Sequence, residues 1–195
     1  MNNTAFIFWE KYPGIRSDLG EVHELMKDTV RVRDEDTEEI LLDMIDSGGK
    51  LLRPAFLLLS GKFGKYNKKK LASLAAVIEL LHMSTLVHDD IIDDAPLRRG
   101  KQTVQAAKGK TNAVLLGDFL FARCFMLLSE KTSMTFMRMV AKVISQICLG
   151  EMEQFSSKYQ QDVSPRRYLK RISAKTAALF SLSCYIGAIE SKCKP

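Results

Sequence analysis

One stretch constrains this chain more than any other. From residue 69 to residue 94 there is no glycine or proline, and apolar residues fall on every side of a helical wheel. Such a segment is a helix of about 39 Å at ~1.5 Å per residue. A helix that is apolar all round cannot face water, so other helices must surround it. The stretches 111–129 and 133–157 have the same character, and 17–31, 36–46, 50–61, 165–172 and 174–190 complete the predicted helices. Glycine and proline are scarce, while Leu, Ala, Met, Lys and Glu are plentiful, which also favours helix. No alternating strand pattern, internal repeat or low-complexity linker is evident. The expected fold is all-α: a multi-helix bundle forming one domain over 1–195. Asp34 or Asp36 could cap the second helix and Thr111 or Asn112 the fifth. Ser164 could cap the seventh, with Pro165 at its first position.

Composition narrows the classes. At 46% hydrophobic and 27% charged residues, the chain is ordinary for a soluble protein. Its apolar runs are broken by Glu79 and His82, or by Asp118 and Arg123, short of the ~20 residues of an uninterrupted span, so no integral membrane contact is expected. Met1 to Glu10 lacks a basic leader, which argues against a signal peptide and for the cytoplasm. Cys124, Cys148, Cys184 and Cys193 are widely spaced. Three of them lie in apolar helical patterns and read as small core residues, not zinc or disulfide partners. The net charge of +6 is moderate. Its basic clusters, 62–70 and 98–110, fall in glycine-containing connections. No helix-turn-helix, zinc-finger or stacking-aromatic pattern accompanies them, so nucleic acid is not the expected partner.

The long helix ends on Val87-His88-Asp89-Asp90-Ile91-Ile92-Asp93-Asp94, just before Pro96. Carboxylates are unfavourable at a helix C-terminus, where the macrodipole is already negative. Asp89/Asp93 and Asp90/Asp94 are moreover like-charge pairs one turn apart. A cationic partner should offset this: divalent metal carrying a polyphosphate, with Arg98 and Arg99 beside it. Oxygen ligands on a rigid helix suit Mg²⁺, which shares its coordination with substrate phosphates. His88 has no second histidine three or four residues away, so a transition-metal site is not expected. Frayed, solvated acids are the plain alternative.

Three weaker clusters accompany the acids. In Gly48-Gly49-Lys50-Leu51-Leu52-Arg53-Pro54 the glycines allow close approach of an anion. Lys50 and Arg53 are expected on one face of a helix's first turn. His82 lies two turns before Asp89 and should face the same way. Lys175-Thr176 opens the last apolar helix and invites an anion. Taken singly, each reads equally well as a turn, a core histidine or a solvated lysine.

Together, in order, they resemble a known family. Gly48-Gly49-Lys50-x-x-Arg53-Pro54, Glu79-x-x-His82, Leu86-x-His88-Asp89-Asp90-x-x-Asp93, Arg98-Arg99-Gly100, Gly117-Asp118, Gly150-Glu151-x-x-Gln154 and Lys175-Thr176 resemble the trans-isoprenyl diphosphate synthases (polyprenyl synthetases). The likeness is to the long-chain branch that makes quinone side chains. It implies the isoprenoid synthase type of bundle, incomplete at its C-terminal end. It implies catalysis at Asp89, Asp90 and Asp93 through bound Mg²⁺. Lys50, Arg53, His82 and Arg99 would hold isopentenyl diphosphate. Arg98, Lys175 and Thr176 would hold an allylic diphosphate such as farnesyl diphosphate. Terpene cyclases share the aspartate motif but lack the Lys50–Arg53 segment. Leu51 departs from the family pattern, and the family's second aspartate-rich motif would lie beyond residue 195. Low activity is therefore expected of this chain alone, and a homodimer or a heteromeric partner subunit is expected. The alternative is a non-catalytic subunit that binds prenyl diphosphates or a full-length partner.

Product length has its own expected determinants. A tail growing from the acids should run along Ser84, Thr85 and Leu81, with Phe119, Cys124, Phe125 or Met126 as floors on a facing helix. Small residues at 84 and 85 leave that path open, so a long product is expected.

Overall fold

The computed structural model describes residues 7–131, 134–156 and 164–194. Helix α1 (Pro13–Thr29) opens on a proline, whose fixed φ suits a first helical position. Helix α2 (Glu35–Asp46) is capped by Asp34, whose Oδ2 accepts from the Thr37 N–H at 2.9 Å. Asp36 instead lies in the first turn, where an acid complements the positive end of the dipole. Helix α3 (Leu52–Gly61) starts two residues later than expected, because Leu51 turns left-handed at φ 50°. Lys50 is therefore in the preceding loop and does not share a helical face with Arg53.

Helix α4 (Lys68–Ile92) is the axis of the molecule. Asn67 caps it, accepting from Lys70 N–H at 3.1 Å. It stops two residues short of the predicted end: Asp93 is its C-cap and Asp94 adopts φ 52°. Leu71, Leu74, Ile78, Leu80 and Leu81 are all at most 1% exposed. Leu74 and Leu81 share one face with Leu71 and Ile78 beside them, while Leu80 and the buried Ala72 and Ala76 cover the other side, so burial runs round most of the circumference. Leu19 and Met26 of α1, and Leu57 and Leu58 of α3, join the same hydrophobic cluster.

The chain then makes the one strand pair among the described residues. Strands β1 (Leu97–Arg98) and β2 (Lys101–Gln102) are antiparallel, with Leu97 opposite Gln102 and Arg98 opposite Lys101. Arg99 and Gly100, at φ 52° and 79°, are the central residues of the turn. Positive φ at both positions matches a primed hairpin turn, which follows the natural strand twist. Two-residue strands leave no alternation to read, which is why no strand was expected. A short helix α5 (Val104–Lys108), also unexpected, follows under a Thr103 cap.

Helix α6 (Lys110–Lys131) lies along α4, bringing Leu120 and Leu128 into the core. It begins before Thr111, and Asn112 donates to the Lys108 carbonyl at 2.7 Å from within it, so neither residue is its cap. Helix α7 (Met134–Ser156) is followed by α8 (Pro165–Ile172), capped by Ser164 with Pro165 at its first position. A π-helical turn (Ser173–Ala177) leads into α9 (Ala178–Glu190). The predicted helix 174–190 is thus two elements. Helix α9 lies close against α3 at Gly187, where any Cβ would overlap the Leu57 carbonyl.

Two expectations are corrected. Only Cys124 is buried; Cys148 is exposed, and Cys184 and Cys193 are partly exposed. The single charges that break the apolar runs also do not shorten them enough. By length and composition, Lys68–Ile92, Lys110–Glu130 and Pro165–Glu190 could each cross a membrane. For the first, 78% of the apolar window is buried inside the fold, which accounts for its composition. The other two windows are only 33% and 28% buried. Leu149, Met152 and Phe155 of α7 and Tyr168 and Leu169 of α8 likewise stand exposed.

Candidate functional site

The C-terminal turns of α4 separate two regions of opposite character. On one side lies an open cavity of about 820 Å³, lined by the end of α2, the 47–51 loop, the start of α3, α4 and the hairpin. Its cations are Lys50, Arg53, Arg98, Arg99 and Lys101, the last of them paired with Asp43. Each is placed by an identifiable device. The indole N–H of Trp9 donates to the Lys50 carbonyl at 2.7 Å, and the Lys50 ammonium lies 4.7 Å from the Phe8 ring centroid. Arg53 projects from the first turn of α3, with its guanidinium 4.6 Å from the Phe180 centroid. The Arg99 guanidinium covers Gly49, where a Cβ would sit 2.8 Å from its Nη2. Gly49 is therefore needed for Arg99 to lie flat on the loop.

Backbone strain collects at this place. Of the non-glycine residues at positive φ among those described, Leu51, Asp94 and Arg99 flank the cavity or the aspartate run, and only Lys192 lies elsewhere. Each such conformation costs ~1 kcal/mol or more and persists only where the surroundings demand it.

Inside the cavity, burial and like charge dominate. His82 is pushed down to about 3 by burial, with Arg53, Arg99 and Arg98 adding to the effect. Its imidazole is neutral at physiological pH and can offer a hydrogen bond but no charge. Burial pushes Glu79 up to about 7 against the pull of Arg53 and Arg99. Burial also lowers Arg53, despite the opposing effect of Glu79. Asp90 turns into this side. Arg98 Nε donates to Asp90 Oδ1 and Oδ2 at 2.8 and 3.0 Å, and Nη2 lies 2.7 Å from Oδ1. Of the four acids, Asp90 is thus the one neutralised by Arg98, whose own pKa is raised first by that hydrogen bond.

The other side is acidic. Asp89 and Glu151 converge on one cation, Lys175 Nζ, at 3.2 and 3.0 Å. They come from α4, α7 and the π-helical turn. Burial raises the Asp89 pKa, with Glu151 and Asp93 adding to it and Lys175 opposing. Burial would lower Lys175, but Glu151 and Asp89 outweigh it and raise it. Asp93 is exposed one turn beyond, and Thr176 is exposed beside Lys175. Two hard carboxylates around one ammonium, with a third acid nearby, are a donor set fitted to a divalent cation shared with phosphate oxygens. No group of three or more such ligands already surrounds one point among the described residues. His82 and Asp89, expected to face alike, take separate surroundings: the cavity for one, Lys175 for the other. His88 turns to α6, 3.3 Å from Asp118, and Gly117 leaves the room its ring needs.

Of the residues expected to set product length, Ser84 is fully buried and donates to the Gly117 carbonyl at 2.8 Å. It fills the seam between α4 and α6 and does not line an open path. Leu81 is 1% exposed in the core. Thr85 is half-buried, its hydroxyl donating to the His82 carbonyl at 2.8 Å. Cys124 lies in the same seam against Val77, whereas Met126 is exposed. Three contributors had no role assigned from sequence: Glu79, Glu151 and the Phe8–Trp9 pair. The first two stand within quoted motifs. No local pattern reveals that Trp9 meets a loop some forty positions away.

Comparison with known proteins identifies the family. The polyprenyl synthetase family model matches residues 34–195. The chain is 40% identical over 178 residues to heptaprenyl diphosphate synthase component 2 of Geobacillus stearothermophilus, covering 91% of this chain and 56% of that protein. This chain belongs to the polyprenyl synthetase family. The crystal structure of geranylgeranyl pyrophosphate synthase from Lactobacillus brevis superposes with a TM-score of 0.92 at 35% identity, covering 96% of this chain and 59% of that one. A polyprenyl synthase from Caulobacter crescentus, complexed with calcium and isoprenyl diphosphate, gives a TM-score of 0.86 at 33% identity, covering 91% and 54%. The fold is thus the all-α bundle of isoprenyl synthases. The chain spans about half the length of the relatives it matches.

Proposed function

We propose that this protein condenses isopentenyl diphosphate with an allylic diphosphate, such as farnesyl diphosphate, to extend a polyprenyl chain of the long class. The observation that carries the reading is the polarity across α4. A cation-lined cavity and a carboxylate pair on a lysine flank the same helix end, as two diphosphates require if only one is to leave. Lys50, Arg53 and Arg99 hold the isopentenyl diphosphate, and neutral His82 adds a hydrogen bond. Mg²⁺ held by Asp89 and Asp93, with Asp90 and Glu151 beside them, would neutralise charge growing on the allylic leaving group. Lys175 is already seated at that position and Thr176 adjoins it. Arg98 bridges the two sides and can exchange Asp90 for a diphosphate oxygen. Met83, Leu86 and Val87 make the cavity wall apolar, which keeps water from an allylic cation.

Turnover by residues 1–195 alone is expected to be weak, because the described residues supply only part of an ion's ligands. A second reading has a specific support: the relative from Geobacillus stearothermophilus is named as component 2. The protein would then act with a partner subunit. The test is incorporation of labelled isopentenyl diphosphate by the full-length protein with farnesyl diphosphate and Mg²⁺. Long prenyl products are expected, alone or with a partner added. No incorporation under either condition would overturn the catalytic reading.

A further inference from the structure

Glu79 stands at the floor of the cationic cavity with no role in the scheme above. It is only 6% exposed, and its Oε2 has no hydrogen-bond partner. Across from it, Arg53 Nε is also buried without a partner. The other acids lining the cavity are engaged: Asp90 with Arg98, Asp43 with Lys101, and Asp46 with Lys27 and His23. Glu79 is thus the lining carboxylate whose outer oxygen is unengaged. Around it are Arg53 from α3, Lys50 from the loop, Arg98 and Arg99 from the hairpin, and His82 and Asp90 on α4 itself. Two orphaned polar atoms of opposite charge in one cavity point to a third group that completes both.

We propose that Glu79 is the internal counter-anion of Arg53 and Arg99 while the cavity is open, and that it takes up one proton from solvent when a diphosphate enters and assumes that role. Glu79 is thereby a positioning residue. It keeps Arg53 charged before capture, and it withdraws its own charge afterwards instead of repelling the ligand. The step is a single protonation at a carboxylate oxygen, with no other bond made or broken. The inference rests on the reading that this cavity receives a diphosphate.

The electrostatics agree in sign. With the cavity open, Glu79 titrates near 7, where burial is opposed by Arg53 and Arg99. Above that pH it is ionised, so an incoming anion drives proton uptake. Well below it the proton is already present and no uptake remains. His82, held at about 3, stays neutral throughout. Anion affinity should therefore fall by up to about tenfold per pH unit above pH 7.

The decisive experiment is calorimetry on the full-length protein, at pH 8 and pH 6, in pairs of buffers with different ionisation enthalpies. Inorganic sulfate, which keeps one charge over this range, is titrated alongside isopentenyl diphosphate. The expected result is close to one proton taken up per sulfate at pH 8 and none at pH 6, with Glu79→Gln abolishing the uptake while still binding. Infrared difference spectra of the unaltered protein give a second readout that needs no variant. Anion binding at pH 8 should produce a protonated-carboxyl band that shifts when glutamate is ¹³C-labelled. Binding of both anions without uptake and without the band overturns the inference and leaves the diphosphate reading standing. If neither anion binds, the cavity reading fails and the inference falls with it.

Discussion

The cationic cavity and the acidic pair lie on opposite sides of the same helix end, yet they are built in different ways. The cavity is made mostly from residues 47–103, nearby in sequence and held by strained turns at Leu51 and Arg99. Its walls lean on α1, α3 and α4, whose core leucines are fully buried. The acidic side joins residues 89, 151 and 175, and α7 and the neighbouring α8 carry exposed apolar residues. The Arg98–Asp90 pair is the seam between them. A local, densely supported site can hold its cations against one another with no ligand present. Carboxylates brought together across the chain are held by a cation between them, here the Lys175 ammonium.

The largest effect should separate the two regions kinetically. In the active enzyme, Asp89→Asn should lower kcat by about 10²–10³-fold, since it removes charge stabilisation at the leaving group. Arg53→Ala should mainly raise KM for isopentenyl diphosphate, by about ten- to a hundredfold, as expected for a lost charged hydrogen bond. Steady-state kinetics varying each substrate would show the division. If both variants changed the same parameter, the two-region account would be wrong.

Packing should differ in the same sense. Gly187→Ala drives a methyl into the Leu57 carbonyl behind Arg53 and should cost about 2–4 kcal/mol, near the upper end for overpacking. Gly150→Ala meets only the Ala174 methyl at 2.9 Å, on the less covered side. There the gain in helix propensity offsets part of the strain, leaving about 1 kcal/mol or less. Denaturant melts of the two variants side by side measure the contrast.

A third test sharpens the electrostatics of the cavity. Glu79, raised from 4.5 to about 7, contributes stability that is full below 4.5 and lost as pH rises through 7. His82, lowered from 6.5 to about 3, contributes stability that is full above 6.5 and lost as pH falls towards 3. Between 4.5 and 6.5 the folded and unfolded states bind equal numbers of protons at this pair, so the two slopes cancel. Glu79→Gln removes the compensating slope: relative to the unaltered protein, in which buried His23 contributes equally, the variant should lose about 1.4 kcal/mol more per pH unit on acidification through that window. A difference between variant and unaltered protein that does not change with pH would show that Glu79 is not held protonated by the fold.

The smallest effect on stability, and the most telling for specificity, concerns neighbours on α4. Thr85→Phe, at a half-buried position, should shorten the prenyl product with little loss of stability. Ser84→Phe should instead destabilise by about 1–3 kcal/mol, because it forces a ring into the sealed α4–α6 seam. Product chromatography together with thermal melts distinguishes them. An unchanged product from Thr85→Phe removes this face as the path of the growing tail.

Local physics made much of this legible in advance. The course of α4 follows from apolar residues on every face, and the caps Asp34 and Ser164 from side chains that satisfy free N–H groups. The acids at 89–93 with the arginines at 98–99 were recognisable as chemistry by themselves, whereas the clusters at 48–54, 82 and 175–176 became so only through the family resemblance. Other features were silent because they depend on partners distant in sequence. The two-residue strands show no period, yet their turn aims Arg98 at Asp90 and Arg99 across Gly49. The π-helical turn, which brings Lys175 to Asp89, breaks no helical pattern. Ser84 and Thr85 are adjacent small polar residues, and only the approach of α6 seals one and leaves the other partly open. Glu79 reads as a helix-compatible acid until α3 and the hairpin close over it. Periodicity and capping are properties of the chain's own neighbours, so the sequence by itself determined the elements and the kinds of side chain they carry. Burial, charge pairing and the division into two sites depend on which helices meet, and that was decided by the tertiary structure alone.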